Sequence, residues 1–162
     1  MLYDNEPNPY VEHLRAEHRR LHAMLRQTRS VFLQSGSPDR DATSLDIVRV
    51  LRRVRSEMAH HFEEEEAGGC LEEAASRCPR LSGEVARVEA EHPELLRQID
   101  RLIAQAQDSC DTLVGRLAFA RDFDELCKLL HAHEAAENDL LRQGFGRLVN
   151  GDSESHTLPL DV

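Results

Sequence analysis

His131-Ala132-His133-Glu134-Ala135-Ala136-Glu137 lies inside a longer apolar-patterned run, residues 126–141. On a helix, residues three and four apart stack on one face. Stepping by threes and fours gives Phe123, Leu126, Leu130, His133, Glu137 and Leu140. Two polar residues stand where the pattern asks for leucine. An imidazole and a carboxylate one turn apart, both aimed into a core, can hold a metal ion. The rest of the chain decides whether other segments bring matching ligands.

The 162 residues suit one domain with a sizeable core. Charged residues make up 31% and aromatics 4%, which favours helices over a β-rich fold. A formal charge of −10 argues against nucleic acid or an anionic membrane as partner. No run reaches the ~18–20 apolar residues of a membrane span. The opening Met-Leu-Tyr-Asp-Asn-Glu-Pro lacks the pattern of a signal peptide, so a cytoplasmic location is expected. Cys70, Cys78, Cys110 and Cys127 form no C-x-x-C pair and read as buried or loop thiols. A redox role for Cys70 and Cys78, which share one loop, is the weaker reading.

Three further segments carry the same periodicity. With Asn8 as cap and Pro9 in its first turn, the first helix shows the row Val11, Leu14, His18, Leu21, Leu25, Thr28 and Phe32. Ser35-Gly36-Ser37-Pro38-Asp39 breaks it. The second, beginning near residues 41–44, shows Ile47, Leu51, Val54, Met58, His61 and Glu65, and Gly68-Gly69 stops it. After a connection over 70–81, Ser82 should cap a third helix with the row Leu81, Val85, Val88, His92, Leu95, Ile99, Leu102 and Ala106. Pro93 should bend that helix. Asp108-Ser109-Cys110-Asp111 is the next break, and the fourth helix is expected over 112–148, weakened by Gly144 and Gly146. The expected fold is all-α, an antiparallel up-down-up-down four-helix bundle over residues 1–148, with a polar tail over 149–162.

Six polar residues thus occupy core-facing places: His18, His61, Glu65, His92, His133 and Glu137. Each half reads His, then His-x-x-x-Glu, with spacings of 43 and 41 residues between the histidines. The midpoint of His18 and His61 falls at 39–40, inside the first turn, and that of His92 and His133 at 112–113, beside the last. Residues equidistant from a turn share a height in a hairpin, so all six can meet in one layer. A buried polar group without a partner costs about 1–3 kcal/mol, and a lone carboxylate more. Two divalent cations would satisfy the set; imidazole suits iron, zinc, copper and nickel, and added carboxylate favours iron or manganese. H-E-x-x-H is absent, and the ferritin-like Glu-x-x-His pairs are mostly off the seam. His22, one turn past His18, is weighed as a ligand or a donor behind one, and Glu64 as an extra ligand. Glu63, Glu64 and Glu66 read mainly as a solvated face, and His13, His60, His131 and His156 as surface.

On Glu17-His18-Arg19-Arg20-Leu21, His61-Phe62-Glu63-Glu64-Glu65-Glu66, Glu91-His92-Pro93-Glu94-Leu95 and His133-Glu134-Ala135-Ala136-Glu137-Asn138-Asp139-Leu140-Leu141, the chain resembles the hemerythrin-like (HHE cation-binding) domain family over about residues 9–148. That resemblance implies a non-heme di-iron centre in a four-helix bundle. His18 and His61 would hold one iron, His92 and His133 the other. Glu65 and Glu137 would bridge them beside an oxo or hydroxo group, with zinc or manganese as alternative metals. Oxygen-carrying hemerythrins have a second His where this chain has Leu96, and an Asp where it has Asn138. The departures argue against simple reversible oxygen carriage. They favour sensing of, or reaction with, oxygen, peroxide, nitric oxide or iron. The alternatives are a metal-dependent interaction module, a small peroxidase- or catalase-like enzyme, and an inert bundle. Metal ions are the expected partners; no nucleic acid, membrane or particular protein partner is indicated.

Overall fold

The computed structural model describes residues 8–35, 43–67, 69–108 and 111–146. All regular structure among them is helical: α1 (Pro9–Gln34), α2 (Ser44–Glu66), α3 (Cys70–Arg77), a 3-10 turn (Pro79–Leu81), α4 (Ser82–Glu89), α5 (His92–Asp108) and α6 (Leu113–Phe145). The lead-in, the Gly36–Asp39 turn, Gly68, Cys110, His156 and the 149–162 tail lie outside the described residues.

Local chemistry sets the helix ends. Asn8 accepts a hydrogen bond from the Tyr10 amide at 2.9 Å, and Pro9 occupies the first helical position, where its missing N–H costs nothing. Asp46 in the first turn of α2 accepts from the Thr43 amide and hydroxyl. Thr112 accepts from the Gly115 amide at the start of α6.

The third segment differs from the expectation of one helix bent at Pro93. It is two helices, with a turn at Ala90 and Glu91 between α4 and α5. A proline ring clashes with the carbonyl four residues back, here Glu89, the last residue of α4. The chain therefore breaks one turn upstream, and Pro93 sits harmlessly in the first turn of α5. Ser82 is not a cap but the first residue of α4, and its hydroxyl donates to the Pro79 carbonyl. The fourth helix ends at Phe145, and Gly146 follows with φ +67°, a conformation that suits glycine.

Helix α2 packs against α1 and α5, and α6 packs against α5, α1, α3 and α4. Every residue of the four apolar rows is buried except Phe32, which is half-buried. The apolar core is divided. One part gathers Leu21, Leu25, Met58, Leu95, Ile99, Leu126 and Leu130, with others. The second gathers Leu14, Leu71, Val88, Leu140, Leu141 and Phe145, and α3 and α4 cover it. Helices α1 and α6 run through both parts, and the join is His18 on α1 and His133 with Glu137 on α6; α2 ends and α5 begins at the same level, with His61, Glu65 and His92.

Candidate metal centre

His18, His61, Glu65, His92, His133 and Glu137 are all buried, none more than 7% exposed. They sit between the two apolar parts, where the rows of α1 and α6 pass from one part to the other and where α2 ends and α5 begins. They form two overlapping groups of possible ligands. One is His18, His61, Glu65 and Glu137; the other is Glu65, His92, His133 and Glu137. The two imidazole pairs are near copies. His18 and His61 meet edge to face at 5.0 Å and 82°, His92 and His133 at 4.9 Å and 75°.

The inward atoms pair in a regular way. Glu65 Oε1 faces His61 Nε2 at 3.5 Å, and its Oε2 faces His92 Nε2 at 3.3 Å. Glu137 Oε2 faces His18 Nε2 at 3.2 Å, and its Oε1 faces His133 Nε2 at 2.8 Å. Each carboxylate therefore spans the two imidazole pairs. Close as they are, none of these atoms has a partner of good hydrogen-bond geometry among the described residues. Within each group the ligand atoms lie within 4.8 Å of one another, close enough that they could hold a metal ion.

The outer nitrogens are held. His61 Nδ1 donates to Glu17 at 3.0 Å, His92 Nδ1 to Glu66 at 2.8 Å and His133 Nδ1 to Glu91 at 3.0 Å. A carboxylate only accepts, so each Nδ1 carries the hydrogen and a neutral ring keeps its Nε2 lone pair facing inward. The phenyl ring of Phe62 stacks on His92 at 4.1 Å and 5°, and meets His133 edge-on.

The buried groups shift one another's proton affinity. Burial pushes the Glu65 carboxyl up to about 8, and the nearby Glu137 charge adds to the effect. Burial opposes the charge on His133 too, yet the Glu137 carboxylate pushes that imidazole up to about 9. Burial works against ionised Glu137, but the His133 and His18 imidazoles hold it well below the usual carboxylate range. Burial also lowers His61.

A family model described as the hemerythrin HHE cation binding domain matches residues 9–141. The chain belongs to this family. Comparison with curated proteins and with solved structures returned no match. In this hemerythrin domain the histidines and glutamates quoted from the sequence converge, while other residues take up places that the periodicity did not assign. Glu64 turns outward to His13 at 3.1 Å, away from the core cluster. Glu66 is on the exposed face as expected, yet its carboxylate reaches back to His92. Glu17 and Glu91 each precede a core histidine and serve the other histidine of the same half. That repeated Glu-His dipeptide was a legible signal. Glu134 had none: it is buried and accepts from His22 Nε2 at 2.6 Å. Cys70 is buried beside Glu65 and Glu137, and burial pushes its thiol up to about 12, which removes it as a nucleophile. Cys70, Cys78 and Cys127 are free thiols.

Proposed function

We propose that this hemerythrin domain holds two iron ions, His18 and His61 on one, His92 and His133 on the other, with Glu65 and Glu137 bridging. The pair would sense or react with oxygen, peroxide, nitric oxide or iron itself. The observation that carries the reading is the spanning geometry: each carboxylate presents one oxygen to each imidazole pair. A cation at each pair would satisfy every inward atom that lacks a partner. Mixed imidazole and carboxylate donors in a bundle favour iron or manganese over zinc. Bound iron would supply Lewis acidity and one-electron redox capacity.

The chain's own residues prepare that site. Glu17, Glu66 and Glu91 fix the tautomers of three imidazoles. Phe62 closes the His92 and His133 side with apolar surface. Cross-helix pairs support an up-down-up-down course. Along α1, His13, Glu17 and Arg20 meet Glu64, His61 and Glu57 of α2, so one number rises as the other falls. The free thiols fit the reducing cytoplasm. Among the described residues no helix is long and apolar enough to cross a membrane.

The test is elemental analysis and a visible spectrum of protein purified aerobically from iron-fed cells. About two irons per chain with charge-transfer absorption are expected. His61→Ala and His133→Ala should each lose half of the iron or more; normal loading in both overturns the assignment. A second reading, a metal-dependent interaction module, draws on the divided core, since cations would join its two parts. Melting on chelation without any peroxide turnover would favour it over a peroxidase- or catalase-like enzyme.

A further inference from the structure

A smaller cluster lies at the edge of the first. His22, His131 and Glu134 each offer a ligand atom, and those atoms lie within 4.8 Å of one another. Burial grades inward: His131 is exposed, His22 half-buried and Glu134 only 5% exposed. Glu134 Oε2 lies 2.6 Å from His22 Nε2, and the rings of His22 and His131 are 6.5 Å apart. The other oxygen, Glu134 Oε1, is buried and has no partner among the described residues. A carboxylate oxygen in that state calls for a water or an ion.

The chain's internal repeat supplies a comparison. Setting His61 against His133, and His18 against His92, places Phe62 opposite Glu134, Ala59 opposite His131 and Leu96 opposite His22. On α2 and α5 these places, Ala59, Phe62 and Leu96, are apolar, and Phe62 stacks on the His92 imidazole. On α1 and α6 all three, His22, His131 and Glu134, are polar. Ordinary helix-surface polarity does not explain the difference, because Glu134 is inside.

We propose that His22, His131 and Glu134 form a third, mononuclear site for a divalent transition-metal ion. Two imidazoles and one carboxylate are a donor set that holds zinc while leaving a position open, and ferrous or cobaltous ions accept the same atoms. A cation there would balance the Glu134 charge and engage Oε1. The rival is a plain His22–Glu134 hydrogen bond, with His131 a bystander. The site shares no ligand with the di-iron assignment and stands or falls separately.

The experiment is titration of the chelator-treated full chain with zinc against a chromophoric competitor. Wild type should take up about three ions, and His131→Ala and Glu134→Gln about two each, with unchanged circular dichroism. In the His61→Ala/His133→Ala background, uptake that still falls by one ion when His131→Ala is added supports the third site even if the core reading fails. Wild-type uptake that neither His131→Ala nor Glu134→Gln lowers overturns it.

Discussion

Glu65 and Glu137 are two carboxyls of one buried cluster, and their proton affinities shift in opposite directions: burial raises Glu65, while the His133 and His18 imidazoles hold Glu137 down. The proton on Glu65 and that on His133 have the same sense for stability. Both groups have folded-state values raised above 4.5 and 6.5, to about 8 and about 9. A raised folded value means stability that is complete below the unfolded value and lost as pH climbs through the folded one. Metal-free protein should therefore melt at a falling temperature between about pH 6.5 and 9, in chelator-containing melts. A flat or rising curve would count against the buried proton. Cation binding displaces the same protons, so calorimetry in buffers of different ionisation enthalpy should register proton release. The carboxylates behind the imidazoles give a second prediction. Glu91→Gln and Glu17→Gln keep shape but weaken the hold on Nδ1 of His133 and His61. Each should reduce metal affinity by about 10–100-fold in chelator competition, less than loss of the imidazole itself.

Helix contacts decide two glycines in opposite ways. A Cβ on Gly144 would come within 2.4 Å of Ala74 Cβ and 2.7 Å of Ala74 Cα, so α3 lies directly on α6 there. Gly144→Ala gains about 0.5–1 kcal/mol of helix propensity but must push α3 away, at a cost of about 1–3 kcal/mol. The clash wins, and the melting temperature should drop. Gly83 in α4 has nothing within 4 Å of its Cβ position. Gly83→Ala should be neutral or stabilising by up to about 1 kcal/mol; a matching loss at both glycines would refute the contact argument. Phe62, on α2, couples an element to the site. Phe62→Ala should cost about 3–5 kcal/mol in denaturant melts. It should also raise the off-rate of metal, since His92 loses the ring stacked against it.

Across the molecule, the polar cluster parts one core into two, so bound cations and global stability are linked. Ligand at one hundred times its dissociation constant adds about 2.7 kcal/mol by mass action. Loaded protein should melt well above chelated protein, and His61→Ala should remove most of that gap. Equal melting temperatures with and without metal would mean that the two apolar parts hold together unaided.

The rows containing His18, His61, Glu65, His92, His133 and Glu137 were legible because helical periodicity is local: a residue's place in a row of threes and fours says which face it joins. The helix ends at Asn8, Thr43 and Thr112 were legible in the same way, from short-range capping chemistry. The break at Ala90 and Glu91 was only half legible, since Pro93 announces a disturbance but the carbonyl it displaces lies a turn earlier. The burial of Glu134, the reach of Glu66 to its imidazole, the seat of Phe62 and the pressure of Ala74 on Gly144 came from tertiary structure alone. They depend on how far each helix turns about its axis and at what height its neighbour passes, which no single segment encodes.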